Sequence, residues 1–449
     1  MKFVIIGFGN IGESILDLLR NNFNFCEIIC IDKYISEQKN CIAAEFNATT
    51  MEVEVTKDNY RDVIGGLISE GDFILNLSVE VSTIDVIKLA QENKAFYIDT
   101  SIEPWGYQHK DGVISTSNYE LRQNLIDEFA GVPKRTTAVV ANGANPGFVS
   151  VLVKKGLALM AKENLHINEN DIFDTQESWS ALAESLGVNV IQVSERDTQA
   201  TRLDRESNSF INTWSVVGLI TESLQPAELG WGTHETNLPN NGKEHNFGCK
   251  AAIYIDQPSH TVNVKSWSPN ALDFNAKLIT HNEAISISDY FSIVSEGKVT
   301  YRPTCYYAYH PCDEAMQSLS VLNEQFEINK SNQVIIKEEI ISGIDELGVF
   351  LISNKYKSLW IGSNLSIEKA RKQARYNNAT SLQVSASIIG AIFWVLENPN
   401  AGVIESERLN YKFIFAKVSP WWGPIVSQHV DWRPSEHSNS LTFDTFICE

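Results

Sequence analysis

The segment VIIGFGNIGESILDLLR, at residues 4–20, places three glycines between an apolar run and an amphipathic run. In a strand–turn–helix unit, the first glycine permits the sharp turn, the second lets a pyrophosphate approach the backbone, and the third lets the helix pack closely on the sheet. The first helical turn then offers unpaired N–H groups to the phosphates. The alternative is a glycine turn that binds no nucleotide. The segment favours a dinucleotide site formed by Gly7, Gly9, Asn10, Ile11 and Gly12.

A carboxylate follows the next apolar run. The stretch EIICID ends in Asp32, about 20 residues after the last glycine of the motif. A carboxylate at this position accepts hydrogen bonds from the adenosine ribose hydroxyls and repels the 2′-phosphate of NADP. Lys33 is the neighbouring cation that could offset this repulsion. The pattern therefore favours NAD over NADP as the cofactor.

Strand-like and helix-like segments alternate along the first part of the chain. Short buried strands are predicted at residues 2–7, 27–32, 73–78, 96–101 and 136–143. The alternation predicts right-handed βαβ crossovers and a doubly wound parallel sheet, whose ligands bind beyond the carboxyl ends of the strands. Polar residues at two of these ends are cofactor-cleft candidates or else ordinary loop caps: Asn76, Ser78, Asp99, Thr100 and Ser101.

The pattern changes in the second part of the chain. Residues 186–194 and 250–310 are rich in Val, Ile, Tyr and Thr with alternation, which indicates a largely antiparallel sheet. We therefore expect an α/β protein with a Rossmann-type dinucleotide-binding domain at residues 1–145. A substrate-binding, catalytic α+β domain is expected at residues 146–449. The helical segment at about 366–402 is a candidate to pack back on the first domain.

Composition excludes several classes of partner. Lys and Arg total 36 against 56 Asp and Glu, a formal net charge of −20 that argues against nucleic acid. We find no run of about 18 uncharged apolar residues that could span a bilayer, and no signal peptide, so no membrane partner is expected. The seven cysteines show no zinc-binding spacing and are typical of a reducing cytoplasm. The acidity could attract small cations, although solubility alone also explains it.

Aromatic and acidic residues cluster at residues 210–235, a span that contains no Lys or Arg. An indole face attracts an organic cation, worth about 2 kcal/mol when desolvated, and carboxylates pair with ammonium groups. The span therefore indicates a site for an organic cation, with a core tryptophan beside surface acids as the alternative. Its members are Trp214, Trp231, Glu222, Glu228, His234 and Glu235.

Two polar residues interrupt the apolar run LITHNEAISIS. If this run is a strand, His281 and Glu283 point to the same face. They then form either a proton-transfer couple or a hydrogen-bonded structural pair.

Asn145, which follows the last predicted parallel strand, either faces the nicotinamide or substrate or caps the next helix. No metal site is predicted, because the histidines lack a metal-binding spacing.

Several of these stretches resemble the bacterial homospermidine synthases, within the wider saccharopine dehydrogenase-like group. The resemblance spans essentially the whole chain and is carried most specifically by NGANPG and PAELGWGTHE, together with VIIGFGNIGESIL, YIDTSIEPW, THNEAISI and LQVSASIIGAIFWVLENPNAGV. It implies an NAD-dependent transferase that makes homospermidine from two putrescines, releases ammonia and regenerates NAD. It further implies 1,3-diaminopropane and spermidine as candidate substrates, and a cytoplasmic homodimer.

The resemblance also implies roles for individual side chains. Glu222 and Glu195 are implied to bind ammonium groups, and His281 with Glu283 to orient the substrate or transfer protons. By local pattern alone, Glu195 would lie on a solvated face, because it belongs to the charged run at residues 193–207.

Trp214 is implied to steady cationic intermediates, and Asn145 and Glu103 to line the cofactor end.

Two other functions are alternatives to homospermidine synthesis. A saccharopine- or carboxynorspermidine-type dehydrogenase, which reduces an imine bearing a carboxylate, needs an Arg or Lys clamp, and residues 210–235 contain neither. A nucleotide-sensing regulator that has lost catalysis would have a disrupted pocket in its second domain.

Overall fold

The computed structural model of the protein describes residues 1–110, 113–202, 209–322, 333–435 and 439–448. The α-helices of these residues are α1 (Asn10–Asn22), α2 (Glu37–Glu45), α3 (Tyr60–Gly65), α4 (Thr83–Glu92), α5 (Asn118–Phe129), α6 (Phe148–Asn164), α7 (Gln176–Ser185), α8 (Val216–Leu224), α9 (Asn282–Tyr290), α10 (Asp313–Ser320), α11 (Ile367–Gln373), α12 (Ala379–Glu397) and α13 (Tyr411–Val418). The strands are β1 (Lys2–Ile6), β2 (Glu27–Asp32), β3 (Thr49–Glu52), β4 (Phe73–Asn76), β5 (Phe96–Asp99), β6 (His109–Lys110), β7 (Val113–Ile114), β8 (Ala138–Val140), β9 (Val188–Asp197), β10 (Ala200–Thr201), β11 (Phe210–Asn212), β12 (Pro226–Gly230), β13 (Gly242–Glu244), β14 (Ala252–Pro258), β15 (Asn263–Ser268), β16 (Leu272–Ile279), β17 (Ile293–Ser295), β18 (Lys298–Tyr301), β19 (Thr304–His310), β20 (Gln333–Ile335), β21 (Ile340–Ser342), β22 (Ile344–Ser353), β23 (Ser358–Ser366), β24 (Val403–Glu405) and β25 (Ile425–Val430).

The first sheet is parallel and has seven strands, in the order β24-β8-β5-β4-β1-β2-β3. Strand β1 pairs with β2 on one side and β4 on the other, so the direction of winding reverses beside the glycine motif. Alternate residues of β1 enter two separate hydrophobic cores, with Phe3 and Ile5 in one and Val4 and Ile6 in the other. A sheet buried on both faces is typical of doubly wound folds. The predicted Rossmann-type sheet is confirmed.

Two strands of this sheet carry no sequence signal and were not predicted. Strand β3 lies at the edge of the sheet and is largely exposed, so it lacks an apolar pattern. Strand β24 has three residues and pairs with β8 from far along the chain, Val403 opposite Ala138. A pairing between such distant segments leaves no local trace in the sequence.

The second sheet has ten strands, and its main path runs β13-β14-β12-β19-β9-β22-β23-β25. The hairpin of β15 and β16 joins this sheet through pairing of β16 with β19. Strands β9 and β19 are parallel to each other, whereas the other neighbours are antiparallel. The predicted second α+β region with a largely antiparallel sheet is therefore confirmed.

Helix α12 lies between the two sheets and packs against α1 and α13. It begins with a capping box in which the Asn378 side chain accepts from the Ser381 N–H and the Ser381 hydroxyl accepts from the Asn378 N–H. By length and composition this helix could cross a membrane, so the expectation that no such run exists was wrong. However, 83% of its apolar window is buried inside the structure, which is typical of a core helix.

Candidate active site

A cavity of about 160 Å³ lies where the carboxyl ends of the parallel strands face the second sheet. The parallel sheet and its loops contribute Ile11, Ser78, Thr100, Glu103 and Asn145. The second sheet and its helices contribute Glu195, Trp214, Glu222, His281 and Tyr307. Residues that are far apart in the chain thus meet in one place. None of the described residues that line this cavity is Lys or Arg.

The glycine loop next to this cavity has the shape that a dinucleotide needs. Gly7 has a φ of +92°, and a Cβ there would lie 2.6 Å from the Leu77 carbonyl oxygen. A Cβ at Gly12 would lie 2.4 Å from the Gly7 carbonyl oxygen, so the helix can approach the loop only with glycine at this position. At Gly9, by contrast, a Cβ would meet no atom within 4 Å. The backbone at Gly9 therefore faces open space where a pyrophosphate can approach.

A second cavity of about 620 Å³ runs from the glycine loop toward the end of β2. Its lining includes Gly7, Gly9 and Asp32, and it meets the first cavity at Ser78 and Ser215. The two cavities together form one elongated cleft across the switch point of the sheet. A dinucleotide bound there would extend from the Asp32 end toward the carboxyl-lined end.

Asp32 has a cationic neighbour that the sequence did not reveal. Its Oδ2 lies 3.3 Å from Lys39 Nζ, and its Oδ1 accepts from the Tyr34 N–H at 3.0 Å. Lys33 lies beside Glu54 instead, at 3.7 Å. Lys39 lies in the first turn of α2, seven residues after Asp32, so spacing along the chain did not single it out.

Two predicted cofactor residues are engaged in other contacts. Asn76 is buried behind the cleft surface, where its Nδ2 donates to the Val81 carbonyl at 2.9 Å and its Oδ1 accepts from Ser78 at 2.8 Å. Asn10 is also buried, and its Nδ2 donates to the carbonyl of Thr213 at 3.3 Å. Asn76 therefore supports the position of Ser78, while Asn10 links the glycine loop to the segment that carries Trp214, which lines the cavity.

Three polar side chains in contact with one another border the cavity on the side of the second sheet. His281 Nε2 lies 3.1 Å from Glu222 Oε2, and His281 Nδ1 lies 3.1 Å from Glu283 Oε1. The expectation that His281 and Glu283 lie on a strand was wrong, because β16 ends at Ile279 and His281 is the N-cap of α9. The pair is nevertheless in contact, since Glu283 lies in the first turn of that helix.

The surroundings of His281 favour the imidazolium form. Burial lowers the pKa of His281, but the carboxylates of Glu283 and Glu222 outweigh this effect and hold its pKa well above 6.5. Burial also raises the pKa of Glu222, against the opposing effect of His281. Near neutral pH the His281 ring therefore carries a positive charge between the carboxyl groups of Glu222 and Glu283. Such a set can both bind an amine and move a proton.

Glu195 is 2% exposed and belongs to a buried carboxyl cluster, so the expectation of a solvated face was wrong for this residue. Its Oε2 accepts from the Tyr307 hydroxyl at 2.7 Å and from Asn145 Nδ2 at 3.4 Å. Burial raises the pKa of Glu195 from 4.5 to about 8. Near neutral pH this group can therefore take up or release a proton.

Two further carboxyls of this cluster were missed by the sequence reasoning. Asp197 lies on the same face of β9 as Glu195, two residues away. Asp345, on β22, is paired directly with Asp197, and the Thr380 hydroxyl donates to it at 2.6 Å. Burial raises the pKa of both aspartates. Asp197 was detectable from the spacing in SERD, whereas Asp345 is brought near only by strand register.

The acidic and aromatic cluster at residues 210–235 is divided by the fold. Trp214 and Glu222 line the cavity, and the indole Nε1 of Trp214 donates to the Tyr309 hydroxyl at 3.2 Å. The other members lie elsewhere. Trp231 packs against Phe443, His234 contacts Leu441, Glu235 binds Thr304 and Phe443, and Glu228 binds the start of α5.

Glu103 adds a carboxyl on the opposite wall of the cleft. It is buried, and its Oε1 accepts from Ser101 at 2.8 Å while its Oε2 accepts from Tyr107 at 3.0 Å. Burial raises the pKa of Glu103, and the charge of Glu222 raises it further. The charges of Glu103 and Glu222 thus act on one another across the cavity, which favours a cation between them.

Comparisons with known proteins identify the family of this chain. The family model for the saccharopine dehydrogenase NADP binding domain matches residues 3–139, and the model for the saccharopine dehydrogenase C-terminal domain matches residues 143–419. A homospermidine synthase of Blastochloris viridis is 41% identical over 440 residues, which are 96% of this chain and 91% of that protein. This chain belongs to the homospermidine synthase family. A second relative, the homospermidine synthase of Mesorhizobium japonicum, is 40% identical over 449 residues, with 98% of this chain and 92% of that protein covered.

Solved structures place the fold in the same group. A homospermidine synthase of Legionella pneumophila, determined in complex with NAD, has a TM-score of 0.91 at 35% identity and covers 100% of this chain and 98% of its own. The apo saccharopine dehydrogenase (L-Glu forming) of Saccharomyces cerevisiae has a TM-score of 0.51 at 10% identity, with 96% and 99% covered. The second likeness shows the shared fold alone. This member of the homospermidine synthase family thus combines the two-sheet fold with the acidic cleft described above.

Proposed function

We propose that this protein is an NAD-dependent homospermidine synthase that joins two putrescines into homospermidine and releases ammonia. The observation that carries this proposal is the lining of the cavity, which combines the carboxyls of Glu103, Glu195 and Glu222 with the indole of Trp214. A putrescine has a cationic group at each end, so an acidic and aromatic lining without Lys or Arg among its described residues is complementary to it. Membership of the homospermidine synthase family supports the same conclusion.

The cleft residues suit a dinucleotide. The N–H groups at the start of α1 would hold the pyrophosphate beside Gly9, and Asp32 would accept hydrogen bonds from the adenosine ribose. When bound, NAD⁺ supplies the hydride acceptor of the reaction and later the hydride donor. The matched domain model is named for NADP, but the Asp32 carboxylate of this chain disfavours a 2′-phosphate.

Glu222 and Glu195 bind the ammonium groups of the diamine. Glu195 is buried and Glu222 is half-buried, so their attraction for an ammonium is screened less by water than on an open surface. The face of Trp214 adds an attraction of about 2 kcal/mol for a cationic carbon or nitrogen above it. Asn145 donates to Glu195 and holds this carboxyl toward the cavity.

Proton transfer falls to Glu195 and His281. An ammonium must lose a proton before its carbon can release a hydride, and Glu195, with a pKa of about 8, can accept that proton in its ionised form, whose share grows as the pH approaches 8. The leaving nitrogen must gain a proton, and the imidazolium of His281 can donate it. Glu283 fixes the orientation of the His281 ring from behind, because it binds Nδ1 while Nε2 faces Glu222 and the cavity.

The net reaction balances without an outside oxidant. One putrescine loses a hydride from the carbon next to its nitrogen, and this carbon then forms a bond to the nitrogen of the second putrescine. The bond from the same carbon to its first nitrogen breaks, and that nitrogen leaves as ammonia. Return of the hydride to this carbon completes homospermidine, so oxidation and reduction cancel.

Other amines are proposed as further substrates of this cleft. 1,3-Diaminopropane and spermidine carry the same terminal amine and could replace one putrescine. An imine-reducing dehydrogenase of the saccharopine or carboxynorspermidine type is the second candidate function, but its substrate carboxylate calls for an Arg or Lys clamp. The described lining of the cavity offers no such cation.

Purified protein incubated with putrescine and NAD⁺ tests the proposal. We expect homospermidine and ammonia in equal amounts by mass spectrometry and enzymatic assay, with no net accumulation of NADH. Accumulation of NADH without a triamine would instead indicate a dehydrogenase, and NAD binding without either product would indicate a regulator. The homodimer and the cytoplasmic location stay predictions. Sedimentation of the purified protein measures its oligomeric state and so tests the homodimer.

A further inference from the structure

Glu228 belongs to the motif PAELGWGTHE but does not line the cavity. It is fully buried on β12, next to the N-terminus of α5. We propose that Glu228 is a positioning residue for His281, because its carboxylate joins the first turn of α5 to Thr280, the residue immediately before His281. The inference rests on the proposed function, since it concerns the placement of a residue that acts in that reaction.

The contacts of Glu228 reach two elements that border the active site. Its Oε2 accepts from the Asn118 N–H at 2.7 Å and from the Thr280 hydroxyl at 3.0 Å. Its Oε1 accepts from the Tyr119 N–H at 3.1 Å. One carboxylate thus satisfies free N–H groups at the start of a helix and a hydroxyl at the end of β16. A carboxylate at a helix N-terminus is also favoured by the helix dipole.

Both ends of this connection continue into the cavity. Asn118 lines the cavity, and its Nδ2 lies 3.4 Å from the Thr280 hydroxyl oxygen. On the other side, the chain passes from Thr280 to His281, whose ring faces Glu222. Helix α5 precedes β8 of the parallel sheet, whereas β16 and α9 belong to the second sheet and its helices. Glu228 therefore sets the distance between the cofactor side of the cleft and His281.

The neighbouring histidine does not neutralise Glu228. His245 Nε2 lies 3.7 Å from Glu228 Oε1, and its ring stacks on Tyr119 with 3.7 Å between the ring centroids. Burial lowers the pKa of His245 to about 4, so the ring is neutral at neutral pH. Burial raises the pKa of Glu228 to about 7, and the hydrogen bonds from the N–H groups of α5 and from the Thr280 hydroxyl oppose this effect. The position of the Glu228 side chain therefore depends on α5 and Thr280 and not on a counter-ion.

Three variants test the inference. Glu228→Gln replaces one acceptor oxygen by an amide group that cannot accept the α5 N–H, and Thr280→Val removes only the hydroxyl. We expect each to lower kcat, with Glu228→Gln losing on the order of 10-fold, because small misplacements of a catalytic group are costly. KM for putrescine should change by less than about twofold, since the ammonium-binding carboxyls are untouched. The double variant should lose little more than Glu228→Gln alone, because both changes break one connection.

Glu235→Gln is the matched control. Glu235 lies in the same motif and its side chain is also buried, accepting from the Thr304 hydroxyl at 2.5 Å and the Phe443 N–H at 2.9 Å, but these contacts lead away from His281. We expect this variant to lower the melting temperature without lowering kcat. Equal losses of kcat in Glu228→Gln and Glu235→Gln, or unchanged kcat in Glu228→Gln and Thr280→Val, would overturn the inference.

A second measurement does not depend on turnover. Amide hydrogen exchange of residues 280–290 in the protein without NAD or putrescine should become faster in Glu228→Gln and Thr280→Val but not in Glu235→Gln. Unchanged exchange in both of the first two variants would also overturn the inference. If wild-type protein makes no homospermidine, the proposed function fails, and the exchange measurement still decides whether Glu228 holds the start of α9.

Discussion

Replacement of Trp214 tests how the cleft recognises a cation. The indole lies in the cavity against Gly218, where a Cβ would come within 2.8 Å of the ring. Trp214→Ala removes the ring face, and Trp214→Phe keeps an aromatic face. An attraction of about 2 kcal/mol corresponds to about a 30-fold change in rate, since each factor of ten requires about 1.4 kcal/mol. We therefore expect kcat/KM for putrescine to fall about 30-fold in Trp214→Ala and only a few-fold in Trp214→Phe.

The hydrogen bond of the indole has to be separated from its ring. Trp214 Nε1 donates to the Tyr309 hydroxyl at 3.2 Å, and both replacements remove this bond. Tyr309→Phe is the matched control, because it removes the same bond and leaves the indole face in place. We expect Tyr309→Phe to resemble Trp214→Phe. The assay is the initial rate of homospermidine formation at several putrescine concentrations. Equal kcat/KM values for wild type, Trp214→Ala and Trp214→Phe would refute a cation–π role.

Three further predictions follow from the cleft. Asp32→Ala should weaken NAD binding about 10-fold, because the ribose loses its acceptor, and should improve NADP binding, because Lys39 loses its carboxylate partner. Calorimetry measures the affinities for both nucleotides, and unchanged affinities would contradict the placement of Asp32. Between pH about 4.5 and about 8, folded Glu195 retains a proton that the unfolded chain releases, so the free energy of unfolding falls as the pH rises through this range. Glu195→Gln removes this loss, so we expect it to raise the melting temperature at pH about 9 but not at pH about 5. We also expect it to abolish activity. Glu283→Gln removes one carboxylate that raises the pKa of His281, so this pKa should move toward its usual range in an NMR titration, while an unchanged pKa would contradict the assignment.

Local sequence patterns pointed to the glycine loop and to Asp32, but not to Lys39 beside Asp32 or to the buried contacts of Asn10 and Asn76. The glycine motif and Asp32 lie within one βαβ unit, where spacing along the chain determines spacing in the fold. The apolar runs of the central strands were equally informative, because both faces of those strands are buried. Edge strand β3 and the three-residue β24 escaped prediction because exposure and distant pairing leave no such pattern.

The substrate side depended on contacts between distant residues. The family resemblance pointed to Glu195, Glu222 and His281, but local pattern alone assigned Glu195 to a solvated face. Asp345 approaches the site only through the register of β22 against β9. Glu228 looked like an ammonium ligand because it lies beside tryptophans in the sequence, yet its side chain points to the N–H groups of α5. Residue type indicated that carboxyls matter, and tertiary structure decided which of them face the cavity.

A crystal structure with NADH and putrescine tests the central claim most directly, because NADH cannot take a hydride from the amine and the complex does not react. We predict that the diamine occupies the cavity with its nitrogens within hydrogen-bond distance of Glu222 and Glu195, and with the face of Trp214 over its chain. Putrescine bound away from these carboxyls, or a cavity that holds only water while the nicotinamide is in place, would contradict the account.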